Sequence, residues 1–392
     1  MKTSWTAARL GDVCEIDKTQ GVHCHLPYVG LEHIESHTAR FIGSSKPRSV
    51  KSSSFKFSRK HVLYGRLRPY LNKVLAPDFE GHCSTEIFPI RPGSRLSREY
   101  LVYWLLAGET VNRINATCTG ARMPRADMND VLEFEFPLPP LHEQERLVGI
   151  LGEALAGIAT AKANAERNLQ NARALFESRL DSVFALRGEG WEDKALADLC
   201  DIKHGFAFKS EFFEDEGDYV LLTPGNFHES GGYRDRGAKQ KYYSGEVPAG
   251  SVLAKGDLVV AMTEQAAGLL GSPVLVPESD KFLHNQRLGL VTAKPGAPWT
   301  NEFFFHVFNT RAVRRAIHEG ASGVKVRHTS PTKIGEVVVS FPSVPSEQQR
   351  IVVKLAELRE LSQRLESTCD RKLASLDKLR SSLLHQAFTG QL

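Results

Sequence analysis

Apolar residues recur in two long stretches of the chain at alternating three- and four-residue intervals. The first stretch runs through Leu147, Leu151, Ala154, Ile158, Ala161, Ala165, Leu169, Ala172, Phe176, Leu180 and Val183. The second keeps the same phase 204 residues later, through Ile351, Leu355, Leu358, Ser362, Leu365, Cys369, Leu373, Leu376, Arg380, Leu384 and Ala387. Such a seam predicts a coiled-coil helix in each stretch. The likeness goes beyond a shared period, because twelve residues between Glu143 and Phe184 are identical to their counterparts 204 positions on. Proline opens each stretch (Pro139 and Pro140; Pro345), and Ser346 with Gln349 has the pattern of a capping box. Gly188 and Gly390 stand where left-handed C-terminal caps are expected. A helix of roughly forty residues spans about 60 Å and is not stable with its apolar stripe in water, so each stripe is expected to cover the other.

Outside these stretches the pattern changes to short β-type runs punctuated by Gly, Pro, Asn and Asp, such as "KHVLYGRLRPYLNKVLAP", "GDLVVAMTEQ" and "RLGLVTAKPG". Two helical patterns intervene, "REYLVYWLLAGETVNRIN" and "NEFFFHVFNTRAVRRAIHEG". Each precedes a glycine-basic turn, "TGARMPRADMNDV" and "SGVKVRHTSPTKI". The lead-ins also repeat, "WTAARLGDVCEI" against "WEDKALADLCDI". The chain therefore reads as a duplicated unit. Its predicted parts are a head at 1–140, a central helix at 141–187, a second head at 188–343 and a C-terminal helix at 344–392. The expected fold class is α+β, two pseudo-symmetric mixed α/β heads separated by a pair of long antiparallel coiled-coil helices, a dumbbell suited to measuring distance.

Composition is that of a globular protein, 41% hydrophobic and 24% charged over 392 residues. The six cysteines form no C-x-x-C pair, so neither a disulfide framework nor a zinc ribbon is indicated. The opening "MKTSWTAARLGDVCEI" lacks the apolar core of a signal peptide, and a cytoplasmic location is expected. A net charge of +4 says little, but its distribution says more. Between Arg40 and Lys73 stand ten Lys or Arg and no Asp or Glu, interleaved with Ser and aromatic residues, as on a surface that meets phosphates. A weaker basic zone carries Arg311, Arg314, Arg315, Lys325, Arg327 and Lys333. The sequence contains no G-x-x-x-x-G-K-[ST] phosphate loop, no NPPF or DPPY tetrapeptide and no F-x-G-x-G. The acidic run Glu211 to Asp218 reads as a solvated loop, and the spacing of His23, Cys24, His25, His33 and His37 fits no ordinary zinc pattern, so no metal site is expected.

The paired "P-x-x-EQ-x-R" helix starts, the ending "LLHQAFTGQL", and "RLRPYLNK", "CSTEIFPIRPG" and "HNQRLG" resemble the specificity subunit of a type I restriction-modification system, over essentially the whole chain. The resemblance implies that the heads are target recognition domains, each reading half of a bipartite double-stranded DNA site. It implies that the helices fix their separation and dock modification (methyltransferase) subunits, two of them given the repeat. It implies a non-catalytic chain without a cofactor of its own. S-adenosylmethionine for adenine methylation, and ATP and Mg for the restriction (translocase and nuclease) subunits, would be held by partners.

Lys and Arg position a protein on phosphates and suit guanine edges, while Asn and Gln suit adenine. The DNA-binding candidates in the first head are accordingly Lys46, Arg48, Lys51, Arg66, Arg68, Asn72, Lys73, Arg122 and Arg125. In the second they are His204, Lys209, Thr263, Gln265, Lys325, Arg327 and His328. Tyr70, Phe206 and Phe208 are candidates for stacking, and Asn285 to Arg287 reads as a buried polar bridge. The repeated Glu143, Gln144, Arg146 and Glu347, Gln348, Arg350 are the candidate partner-docking residues. Two other classes stay open, a non-enzymatic coiled-coil scaffold with incidental DNA affinity and a fused enzyme in its own right.

Overall fold

The computed structural model describes residues 5–120, 122–265 and 268–392; the first four residues, Ala121 of the first glycine-basic turn, Ala266 and Ala267 lie outside the described residues. Long helices run from Leu141 to Ala185 and from Pro345 to Phe388. The chain divides into two compact units, Met1–Asn168 with Thr368–Leu392, and Leu169–Ser367, so each unit holds one head and a length of both helices.

Within the first unit the helices pair antiparallel. The Lys162 ammonium lies 2.7 Å from the Asp377 carboxylate, and Leu147 and Leu151 share a core with Leu384 and Ala387. The second unit repeats the arrangement. Arg173 meets Glu366 at 3.0 Å, the Ser362 hydroxyl donates to the Ala172 carbonyl at 2.7 Å, and Leu180 packs in one core with Ile351 and Leu355. Every residue of the two predicted seams is buried or half-buried except Leu365, which is 43% exposed. Small residues at Ala165, Ala172 and Ser362, all buried, let the backbones approach closely enough for that hydroxyl–carbonyl bond.

The helix ends differ from expectation. The C-terminal helix begins at Pro345, which places Ser346 inside the first turn rather than at a cap, and the Val344 carbonyl accepts from Glu347 N and Gln348 N instead. Gly390 is left-handed at φ 70°, with the Gln391 N–H donating to the Gln386 carbonyl as a Schellman cap requires. At the other end Gly188 is not the left-handed residue; Arg187, at φ 33°, is.

The two heads share a topology. In the first, an antiparallel sheet has the order Cys14–Ile16, Ile87–Pro92, Val62–Gly65, Val74–Leu75; in the second the order is Cys200–His204, Leu288–Ala293, Leu258–Ala261, Pro273–Leu275. A further sheet stands in each, four strands in the first and five in the second, each with one parallel pair. The repeated lead-in closes each head as a ribbon: Thr6–Arg9 pairs with Glu135–Leu138, and Trp191–Ala195 pairs with Val338–Pro342. The two predicted head helices are each broken once, at Ala107 (ψ 133°) and at Thr310 (ψ 145°), giving Arg98–Leu106 with Gly108–Ala116 and Asn301–Asn309 with Arg311–Glu319. Thr310 makes its break durable, since its hydroxyl donates to the Val307 carbonyl and accepts from Val313 N. Among the described residues no helix is long and apolar enough to cross a membrane.

Candidate nucleic-acid interface

In the first head the strand Val62–Gly65 runs on into residues 66–68, which are held on both sides. Arg66 N donates to the Glu86 carbonyl, just before the strand Ile87–Pro92, and the Arg66 carbonyl accepts from Ala126 N. Arg68 N donates to Pro124, and Thr119 and Arg125 exchange both backbone bonds across the glycine-basic turn. The second head repeats this frame bond for bond. Met262 N donates to Arg287, Thr329 N donates to Met262, and Ser322 and His328 exchange both bonds. Each turn hinges on a left-handed glycine, Gly120 at φ 89° and Gly323 at φ 98°; at Gly323 a Cβ would stand 2.1 Å from the Val326 carbonyl. The frame makes Arg66, Glu86 and Arg125 equivalent to Met262, Arg287 and His328.

Side chains on the first frame converge on Glu86, a carboxylate missing from the predicted set. Arg125 grips it with Nε at 2.9 Å and Nη2 at 2.8 Å from Oε1, and Arg66 Nε lies 3.1 Å from Oε2. Partial burial pushes the Glu86 carboxyl up, but the hydrogen bonds and charges of Arg125 and Arg66 outweigh it and the group titrates below the ordinary glutamate range. The Arg66 guanidinium also lies 5.0 Å from the Phe88 ring centroid, a cation–π distance. Arg68 and Arg122 are exposed beside this cluster.

Other predicted residues of the first head lie apart. Lys46, Arg48 and Lys51 are exposed on the segment before Ser54–Phe57, with the Arg48 guanidinium 5.9 Å from the Tyr28 ring. Asn72 is fully buried and left-handed at φ 42°, so it presents nothing to DNA and leaves the candidate set. Lys73 is half-buried and spends its ammonium on the Ile34 carbonyl at 2.5 Å.

In the second head Thr263 pairs with His328, and Glu264 with Arg327, in a short ladder. The Arg327 guanidinium donates to the His318 carbonyl at 2.9 Å and lies against its ring, and His318 Nε2 stands 3.2 Å from the buried Glu264 carboxylate. Glu264 Oε2 accepts from the backbone N–H groups of Gly268, Leu269 and Leu270 at 2.9 to 3.0 Å, which holds those three residues, and Gln265 is exposed. Lys325 and His328 are exposed on the glycine-basic turn. His204 joins the frame through Gln286, whose carbonyl lies 3.2 Å from its Nδ1. Lys209 stands apart, 3.8 Å from Glu211. Of the run Asn285 to Arg287 only Asn285 is buried, its side chain accepting from Arg287 N, while Gln286 and Arg287 face solvent. Tyr70 and Phe206 are exposed, and Phe208 is core.

The repeated helix starts hold a matched pair of locks. Gln144 is fully buried; it accepts from Ser97 N at 2.8 Å and donates to the carbonyls of Arg95 and Pro139. Gln348 is likewise fully buried, accepting from the Thr300 hydroxyl and donating to the carbonyls of Pro298 and Pro342. Both glutamines are spent inside their own heads, which removes them from the docking candidates. Glu143 pairs with Arg146 and Glu347 with Arg350 on the exposed side of each helix start, and Arg146 also donates to the Leu392 carbonyl.

The family model of the type I restriction modification DNA specificity domain matches twice, at residues 2–166 and 188–372. The specificity subunit of the type I restriction enzyme EcoDI from Escherichia coli is 27% identical over 193 residues, 47% of this chain and 42% of that protein. That of EcoBI, also from Escherichia coli, is 26% identical over 220 residues, 56% of this chain and 42% of that protein. The matched stretches thus span less than half the length of these curated relatives. A chain from the structure of type I restriction-modification complex assembly and conformational transition superposes with a TM-score of 0.80 at 21% identity, covering 100% of this chain and 99% of that one. The HsdS subunit from Thermoanaerobacter tengcongensis gives 0.63 at 20% identity, covering 100% and 98%. The structural likeness speaks for the fold, and the doubled family match, covering most of the chain, shows that the protein belongs to the type I restriction modification DNA specificity domain family.

Proposed function

We propose that this chain is the DNA-reading, non-catalytic subunit of a type I restriction-modification complex, with each head reading one block of a bipartite double-stranded target. The observation that carries this reading is the repeated frame: two heads hold the same backbone hydrogen bonds around a glycine-basic turn and fill them with different side chains. A conserved scaffold with divergent exposed donors is what two readers of different sequences require. The long helices fix the separation of the blocks, and half-sites met on one face of B-DNA fall about one helical turn apart.

Modification subunits dock on the helices. Ile150 and Leu379 in the first unit, and Leu175, Val353, Leu361 and Leu365 in the second, are apolar helix side chains at least 36% exposed, surface that partner helices would cover. Glu143 and Arg146 in the first unit, and Glu347 and Arg350 in the second, are the charged docking candidates. S-adenosylmethionine, ATP and Mg belong to the partners in this reading.

The test is selection from a random-sequence duplex pool by the chain assembled with its modification subunit, at about 0.15 M salt, where non-specific phosphate binding is weakened. Enrichment of two fixed blocks across a constant unread gap is the expected result. Retention of DNA without an enriched sequence would instead support the scaffold reading.

A further inference from the structure

Glu86 and Arg287 occupy one position of the shared frame with opposite charge, since the carbonyl of each accepts from the residue that follows its partner strand, Arg66 and Met262 respectively. In the first head two guanidiniums flank a central carboxylate; in the second the central residue is a guanidinium, while the Met262 side chain is buried in the head's core and His328 is exposed on the glycine-basic turn. The Arg287 side chain is exposed and makes no hydrogen bond or ion pair among the described residues. Arg66 and Arg125, by contrast, are braced on Glu86, Arg66 through Nε and Arg125 through Nε and Nη2, which leaves the Nη groups of Arg66 to point elsewhere.

We propose that the frame position held by Glu86 and Arg287 is the specificity-determining element of each head, and that Arg287 reads a guanine through its O6 and N7 atoms. A guanidinium fork matches those two acceptors, and an unpaired exposed fork at a frame position is free to do so. In the first head Glu86 is a positioning residue that presents Arg66 and Arg125 as a fixed pair of donors. A bare Arg66–Arg125 pair would repel itself and lose that orientation. The inference rests on the bipartite DNA-reading function proposed above and names the position at which the two blocks are told apart.

Arg287→Ala, Arg287→Lys and Glu86→Gln are made in the full chain, assembled with the modification subunit, and methylation motifs are mapped alongside the unaltered complex. Arg287→Ala is expected to relax one position of one block, a G·C pair in the unaltered motif, with discrimination there reduced roughly tenfold or more. Arg287→Lys keeps the charge but not the fork and is expected to relax the same position. Glu86→Gln is expected to change one position of the other block only. A uniform fall in methylation at every site with no base relaxed, restored by Arg287→Lys, would mark a phosphate contact and overturn the proposal. An unchanged motif in Arg287→Ala would overturn it while leaving the bipartite function intact. Absence of any bipartite motif in the unaltered complex would remove both.

Discussion

His306, on the helix Asn301–Asn309 of the second head, is buried, and desolvation reinforced by the Arg359 guanidinium pushes its pKa from the ordinary 6.5 down to about 4. Because the folded-state value lies below the unfolded one, the unfolded chain binds the extra proton between pH 6.5 and 4. The stabilising contribution of a neutral His306 is therefore complete above pH 6.5 and is lost as pH falls through that window, about 2 kcal/mol of it by pH 5. Urea unfolding at pH 7 and pH 5 checks this: the loss on acidification is expected to be smaller in His306→Gln than in the unaltered chain, and equal losses would contradict it. Residue type alone foretold little of this kind. Of the basic run from Arg40 to Lys73, Lys46, Arg48 and Lys51 are exposed, but burial claims Asn72 and a backbone carbonyl claims Lys73. Glu86 lies outside the acid-free run, so a charge count along the sequence cannot show that it holds Arg66 and Arg125.

At the scale of elements, the long helices were legible because a sustained seam and a repeat are both written in the sequence. Their coupling to the heads was not, since it depends on which side of the helix start faces inward. The Glu-Gln-x-Arg repeat resolves into two roles on one turn: the Gln reaches inward to three head groups, and the Glu–Arg pair stays outside. Gln144→Ala strips a buried N–H and two carbonyls of their partner, and Gln348→Ala strips a hydroxyl and two carbonyls. Each change is expected to cost about 2 kcal/mol, on the scale of an unsatisfied buried polar group. Thermal or urea unfolding measures the loss. A variant that keeps full stability yet fails to bind the modification subunit would return these glutamines to a docking role. The breaks at Ala107 and Thr310 were hidden for a related reason: nothing in a local helical period announces a single extended residue, although Thr310 carries the capping chemistry that sustains one.

For the whole molecule, duplication is the organising fact. Two units carry the same sheet order, the same closing ribbon, the same helix lock and the same frame around a left-handed glycine. The repeat made this legible for the helices, where the shared Gln144 and Gln348 reach into their own heads and the shared Leu151, Leu180, Leu355 and Leu384 are buried. It was illegible within the heads, where equivalent positions such as Glu86 and Arg287 share backbone bonds and no side-chain chemistry. Conserved frame with divergent donors is the arrangement expected if the chain supplies sequence information to partners that supply chemistry. The most direct test is single-molecule sequencing of DNA from cells that express the modification subunit with this chain, compared with cells lacking it. The expected result is one bipartite methyladenine motif, two fixed blocks about a fixed gap, that disappears when the chain is removed. No chain-dependent motif, in cells where the complex is shown to assemble, would contradict it.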